Sequence, residues 1–209
     1  MVDITLAEAW IQAIATAIDR HKDHLTQLDS AIGDADHGFN MHRGFSAARI
    51  ALDGLDAATV GAVFVKTGIT LVSSVGGASG PLYGTVFRGM GGALDVPRAD
   101  AGQFAHALAV GLERVQKLGA AQPGDKTMID AYLPALADFR QQAEHGADFA
   151  TAADAAARAA LDGMEATTPL RARKGRASYL GARSIGHQDP GAASTALIFR
   201  ALADVVRAA

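Results

Sequence analysis

Three carboxylates stand within eight residues in the segment Leu28-Asp29-Ser30-Ala31-Ile32-Gly33-Asp34-Ala35-Asp36-His37-Gly38-Phe39-Asn40. Like charges held that closely repel one another unless a hard cation neutralises them, and an all-oxygen ligand set is what Mg²⁺ takes. Asp29, Asp34 and Asp36 are therefore candidate metal ligands. An EF-hand starting at Asp34 would need Asp or Asn where Gly38 stands and Gly one place later, so that geometry does not apply. The plainer alternative is an Asp-rich N-cap for the following helix, for which one acid is enough.

Two glycine-rich segments and a basic one accompany the acids. Ser73-Ser74-Val75-Gly76-Gly77-Ala78-Ser79-Gly80-Pro81-Leu82-Tyr83-Gly84-Thr85 reads as a small-residue loop running into a helix. Its glycines let backbone N–H groups close on an anion at a helix N-terminus, which describes a phosphate cradle; close helix–helix packing is the competing explanation. Gly119-Ala120-Ala121-Gln122-Pro123-Gly124-Asp125-Lys126-Thr127-Met128 nearly spells a P-loop. Asp125 intervenes before Lys-Thr, however, and a helical stripe precedes it where a P-loop has a strand. Such a turn brings Lys126 or Thr127 near a ligand while Asp125 caps, or simply starts a helix.

Arg171-Ala172-Arg173-Lys174-Gly175-Arg176-Ala177-Ser178 carries four cations in six residues of an acidic chain. A guanidinium fits phosphate oxygens bidentately; a solvated basic loop is the alternative. Gly186-His187-Gln188-Asp189-Pro190-Gly191-Ala192 ends in a turn and helix-start signal. His21, His24, His42, His106 and His145 stand apart and read as surface or satisfied core residues. Together, acids for a cation, two glycine loops and a basic loop make a Mg²⁺–polyphosphate site, for which a nucleotide is the economical ligand. Phosphoryl transfer needs positioning and charge neutralisation more than a covalent group, so the lack of a Ser-His-Asp or Cys-His pair is no objection.

The elements that must position these residues are helices. Alanine makes up roughly a fifth of the chain, and β-branched or aromatic alternation is scarce. Leu6, Trp10, Ala13, Ile14, Ala17 and Ile18 share one helical face behind a Thr5-x-x-Glu8 capping box. Further stripes are Met41, Phe45 and Ala48; Val60, Val63, Phe64, Thr67 and Leu71; Leu82, Val86 and Met90; Phe104, Leu108, Leu112, Val115 and Leu118; and Ile129, Tyr132, Leu133, Leu136 and Phe139. Helices around Asp148 to Ala166 and Ala192 to Ala208 bring the expected number to eight. No strand pair or hairpin turn is visible, so the expected class is all-α.

The chain has 209 residues, 49% hydrophobic and 20% charged, which suits one compact domain over residues 1–209. A net charge of −3 lacks the field that gathers nucleic acid or anionic membrane. Absence of cysteine excludes disulfides and thiolate chemistry and agrees with a reducing cytoplasm. The N-terminus shows no secretory signal. The uncharged stretch from Thr67 to Phe87 fails as a membrane span because its serines, glycines and Pro81 would leave backbone groups unpaired in lipid. A cytoplasmic protein, engaging neither nucleic acid nor membrane, is expected.

Gly-Asp-Ala-Asp-His-Gly, Ser-Val-Gly-Gly-Ala-Ser-Gly-Pro-Leu-Tyr-Gly-Thr, Pro-Gly-Asp-Lys-Thr-Met, Arg-Lys-Gly-Arg-Ala-Ser-Tyr-Leu-Gly and Gly-His-Gln-Asp-Pro-Gly-Ala resemble, in order and along nearly the whole chain, the nucleotide-binding L subunits of bacterial dihydroxyacetone kinases. The resemblance implies an antiparallel eight-helix up-and-down barrel holding ADP or ATP and two Mg²⁺ in the loops at one end. It implies that Asp29, Asp34 and Asp36 hold the metals, that His37, Gly38, Phe39, Asn40, Ala78 and Ser79 line the phosphates, and that Gly119 and Met128 frame the adenine. Arg176, Asp189, Pro190 and Gly191 would close the pocket. In the phosphoenolpyruvate-dependent version, a phosphohistidine carrier M subunit phosphorylates bound ADP, and the ATP formed phosphorylates dihydroxyacetone held on the K subunit. An ATP-exchanging subunit of a kinase for another short ketose is the competing enzyme, and an ADP-dependent binding module for a regulator the competing non-enzyme. A homodimer is among the assemblies the resemblance allows.

Overall fold

The computed structural model describes residues 1–209. Eight α-helices follow one another: α1 (Ile4–Ile32), α2 (His37–Leu52), α3 (Val60–Ser74), α4 (Ser79–Gly92), α5 (Ala101–Gly119), α6 (Ile129–Glu144), α7 (Phe149–Ala166) and α8 (Pro190–Ala208). Each packs on its neighbours in sequence and α8 closes against α1, which makes an all-α ring with short connections between antiparallel neighbours. The long connection lies between α7 and α8 and contains a 3-10 segment, Arg176–Ser184, broken at Gly181 (φ 58°).

The apolar stripes meet along the ring's axis in one cluster of buried side chains. Trp10 sits edge-on to Phe64 at 5.6 Å, and Phe104 packs on Phe139 and Phe149 at 5.4 and 5.2 Å. The Trp10 indole N–H donates to the Ile198 carbonyl (3.0 Å), fastening the first helix to the last. Small residues let neighbours approach: α7 buries a face of alanines against α6, and a Cβ on Gly68 of α3 would stand 2.7 Å from the Gly84 carbonyl of α4. No helix is long and apolar enough to cross a membrane.

The structure corrects several expectations. A two-stranded antiparallel pair exists, β1 (Val2–Asp3) with β2 (Arg98–Ala99); at two residues a strand it is too short to show alternation. Because that pairing holds Asp3 extended (φ −119°), Asp3 is the N-cap of α1 and accepts from Leu6 N (2.9 Å), in place of Thr5. Ser73 and Ser74 belong to α3, which leaves residues 75–78 as the connection, and α8 starts at Pro190, two residues before Ala192. Leu118 and Leu133 lie on the exposed margin of their stripes. His42 is of the surface kind, partly exposed, with its Nδ1 3.4 Å from an Asp19 carboxylate oxygen and without a hydrogen bond.

Candidate functional site

Alternating helix direction puts the N-termini of α2, α4, α6 and α8 at one end of the ring, where backbone N–H groups have no intrahelical partner. A cleft of about 540 Å³ opens there. Its wall takes the N-cap and first residues of each: Asp36 and His37 at α2, Ala78 and Ser79 at α4, Met128 and Ile129 at α6, and Asp189, Pro190 and Gly191 at α8. Four helix N-termini bordering one cleft favour an anion.

Asp29, Asp34 and Asp36 form one edge, their carboxylate oxygens within 4.8 Å of one another. Asp29, in the last turn of α1, is buried; its Oδ2 accepts from the backbone N–H groups of Asp36 (2.9 Å) and His37 (3.1 Å). Capping of α2 thus falls to an acid on the preceding helix, while the Asp36 side chain makes no cap bond and faces solvent with Asp34. Between them Ala35 adopts a left-handed φ of 61°, and Gly33 has no side chain to displace the Asp29 carboxylate, with which a Cβ would overlap. Opposite stands Arg176, its Nε 3.0 Å from Asp34 Oδ2. Three acids against one guanidinium leave negative charge uncompensated. An oxygen-only set with two solvent-facing carboxylates fits hard divalent cations.

His37 is buried at the junction of three helices. Its Nδ1 lies 3.1 Å from Ser79 Oγ and its Nε2 3.0 Å from Ser194 Oγ, which in turn lies 2.7 Å from the Tyr83 hydroxyl. Tyr83 donates to the Gly191 carbonyl at 2.8 Å. Burial pushes the imidazole pKa down and the phenol pKa up, so both groups are held neutral. This network locks the starts of α2, α4 and α8 to one another.

The opposite wall is apolar, made by Leu82, Val115, Leu118, Ala121, Met128 and Ile129, with Gly119 at the end of α5. The turn between α5 and α6 is pinned by its acids: Asp125 accepts from Gln122 N (2.8 Å), and Asp130 from Gly124 N (2.5 Å) and Thr127 N (2.7 Å). Asp125 thus ties the turn together and, against expectation, does not cap α6, whose N-cap Met128 has no side-chain cap bond, while the Lys126 ammonium turns into the protein and reaches the Thr167 carbonyl (2.7 Å). Asp189 caps α8 through Ala192 N (2.7 Å); burial raises its carboxyl to about 7 against the lowering by the Ala192 N–H. Ala172, Ala177 and Leu180 of the long connection pack on Ile32, which sets Lys174, Gly175 and Arg176 at the cleft beside Asp34.

The structure therefore brings Asp29, Asp34, Asp36, His37, Ala78, Ser79, Gly119, Met128, Arg176, Asp189, Pro190 and Gly191 to one cleft. Gly38, Phe39 and Asn40 lie in the first turn of α2 outside the wall: Gly38 packs on the Lys22 carbonyl, Phe39 is exposed, and the Asn40 amide oxygen accepts from Arg43 (2.8 Å). Sequence reasoning missed Tyr83 and Ser194, and it expected Lys126 or Thr127 near a ligand, whereas the Lys126 side chain is buried against backbone carbonyls. Tyr83 and Lys126 stood inside the singled-out segments, but their partners are more than forty residues away.

The sequence pattern of the DAK2 domain matches residues 31–204. The ADP-binding subunit DhaL of the PEP-dependent dihydroxyacetone kinase of Escherichia coli is 41% identical, over 93% of this chain and 93% of its own. The corresponding subunit of kinase 1 of Listeria innocua is 45% identical over 92% of each. D-erythrulose kinase of Mycolicibacterium smegmatis is 36% identical over 93% of this chain, which spans 34% of that enzyme. The crystal structure of the dihydroxyacetone kinase of C. freundii in complex with AMP-PNP and Mg²⁺ superposes with a TM-score of 0.75 at 28% identity, covering 96% of this chain and 34% of that one. With the family pattern spanning most of its length and relatives above 40% identity end to end, this chain belongs to the DAK2 domain family.

Proposed function

We propose that the chain is the ADP-binding subunit of a phosphoenolpyruvate-dependent dihydroxyacetone kinase acting in the cytoplasm. In this reading ADP in the cleft receives a phosphoryl group from a phosphohistidine carrier M subunit, and the resulting ATP passes it to dihydroxyacetone on the K subunit. The observation that carries the reading is the three-carboxylate edge set against a cleft bordered by four helix N-termini. The relatives matched along nearly their full length support it, since their names describe ADP-binding subunits of such kinases.

Each wall has its own part to play. The apolar side with Gly119 and Met128 takes the adenine, which needs a dry slot. His37, Ala78 and Ser79 take the phosphates at the starts of α2 and α4, and Asp29, Asp34 and Asp36 hold two Mg²⁺. When bound, these cations would neutralise the phosphate oxygens where charge develops. Arg176, beside Asp34, reaches the same phosphates, and Asp189, Pro190 and Gly191 close the pocket. A neutral His37 bridging two serines orients these groups without adding a charge that titrates near pH 7.

Native mass spectrometry after exhaustive desalting in Mg²⁺ tests the reading. The expected mass is that of the chain plus one ADP and two magnesium ions, with both additions lost in Asp34→Asn and Asp36→Asn. A protein that emerges empty and binds ATP reversibly is instead an ATP-exchanging subunit for a related ketose. One that binds neither nucleotide refutes the proposal.

A further inference from the structure

Lys126 is buried with 1% of its surface exposed, yet its ammonium is bound by carbonyls rather than carboxylates. It donates to the Thr167 carbonyl (2.7 Å) and the His187 carbonyl, with the Thr168 carbonyl at 3.5 Å. Burial lowers its pKa, and its backbone sits at a left-handed φ of 64°, a conformation that side-chain-bearing residues adopt at a cost. The turn that carries it does not need the ammonium, being held already by Asp125 and Asp130. An expensive group kept in a strained position requires another reason.

Its partners supply one. Thr167 and Thr168 are where the chain leaves α7, and His187 is where it returns to α8; between them runs the long connection bearing Lys174 and Arg176. Gly186 N donates to the Thr168 carbonyl (2.8 Å), and Asp189 N to Thr167 Oγ1 (3.0 Å), so the two feet already touch. Lys126 grips both feet from the α5–α6 turn, while the Asp125 carbonyl accepts from Arg173 N (3.0 Å) farther out. Without the ammonium the His187 carbonyl loses its donor, and the Thr167 and Thr168 carbonyls keep only Leu170 N (3.1 Å) and Gly186 N (2.8 Å).

We infer that Lys126 is a positioning residue: it clamps the base of the α7–α8 connection and so fixes how Arg176 and Asp189 stand relative to the apolar wall and the anion opposite Asp34. The inference rests on the cleft's being an ADP site, since misplacement by about an ångström matters only where a ligand must be met on both sides. The clamp joins the adenine side of the cleft to the phosphate side. The acid cluster, held between α1 and α2 by Asp29, meets the connection through the Asp34–Arg176 contact.

Lys126→Met in the full chain separates these roles. ADP affinity in Mg²⁺ is expected to fall at least tenfold, and amide hydrogen exchange to quicken within residues 167–189. Mn²⁺ affinity of the nucleotide-free protein, read by the signal of free Mn²⁺, should not fall more than twofold below wild type. Because the chain has no cysteine, Lys126→Cys can be aminoethylated with 2-bromoethylamine in denaturant and refolded, which restores an ammonium at nearly the same reach and should restore ADP affinity. Unchanged ADP affinity overturns the inference. So does Mn²⁺ affinity that falls in step with ADP affinity, faster exchange throughout the ring, or failure of both variants to fold, for Lys126 would then support the whole barrel. A wild-type protein that takes no ADP refutes the functional reading instead, and the exchange pattern still decides whether the clamp exists.

Discussion

The Arg176 guanidinium touches the acid cluster at Asp34, and their contact has a sign that can be measured. With Arg176 69% and Asp34 36% exposed, the pair stabilises the fold by about 0–1 kcal/mol. It nevertheless competes directly with a cation for Asp34. Arg176→Gln should therefore tighten Mn²⁺ binding to the nucleotide-free protein by up to about 5-fold, the equivalent of that energy, while weakening ADP. A variant that binds Mn²⁺ more weakly would mean that the guanidinium organises the acids instead of opposing the metal. Asp189 gives a second test at this scale. Burial raises its carboxyl to about 7 in the folded protein, well above its ordinary value of 3.8, so the fold favours the protonated form. Its contribution to stability is fully present below about pH 4 and declines as pH rises towards 7, with a slope of up to about 1.4 kcal/mol per pH unit. Asp189→Asn keeps an acceptor for the Ala192 N–H and cannot ionise. Between pH 4 and 7 the difference in melting temperature between variant and wild type should move steadily in the variant's favour, and a constant difference would show that Asp189 titrates normally.

At the scale of elements, backbone proximity rather than side-chain packing sets the spacing of α3 and α4. A Cβ on Gly68 would lie 2.7 Å from the Gly84 carbonyl, and one on Gly84 would lie 2.8 Å from the Gly68 carbonyl. Gly68→Ala gains helix propensity of about 1 kcal/mol but forces two backbones apart, an overpacking cost of about 1–3 kcal/mol or more. The net cost, up to about 2 kcal/mol, should lower the melting temperature by up to roughly 8 °C, each kcal/mol being about 2–4 °C for a chain of this size. Gly102→Ala, at an exposed position in the first turn of α5 where a Cβ meets only Asp100 at 3.4 Å, should leave stability unchanged or raise it. Equal losses in the two variants would remove the explanation. The helices themselves were legible in the sequence because each buries a stripe at a 3.6-residue period, and Asp29, Asp34 and Asp36 were legible because their mutual repulsion is local. The 3-10 segment was not, since its apolar contacts, Ala172, Ala177 and Leu180 on Ile32, join positions far apart in the chain. The same holds for the clamp at Lys126 and the network from His37 to Tyr83, whose partners lie on other elements. Asp29, which the sequence singles out as a candidate metal ligand, also caps a helix from outside that helix, which no local capping pattern reveals.

Over the whole molecule the charges are segregated in a way the net value of −3 conceals. From Ala166 to Gln188 there is no acid, while Arg171, Arg173, Lys174, Arg176 and Arg183 all fall in that span, with Tyr179 exposed to 87% among them. This basic island lies at the cleft end, where the proposed exchange of a phosphoryl group with partner subunits must take place. A patch of one sign at a docking face accelerates encounter with an acidic partner, by about ten- to a thousandfold at low ionic strength, and governs association more than dissociation. Replacing Arg171, Arg173 and Lys174 together by Ala removes three of the charges and leaves the Arg176–Asp34 contact in place. Stopped-flow association with the substrate-carrying subunit should then slow about tenfold or more at low salt, and its dependence on ionic strength should flatten, while the dissociation rate changes little. Tyr179→Ala should do the reverse, because an exposed aromatic ring contributes contact area that is recovered only after docking, and its loss appears in the dissociation rate. If the triple variant associates at the wild-type rate at every salt concentration, the basic island serves only the nucleotide, and the partners must be guided by another face of the ring.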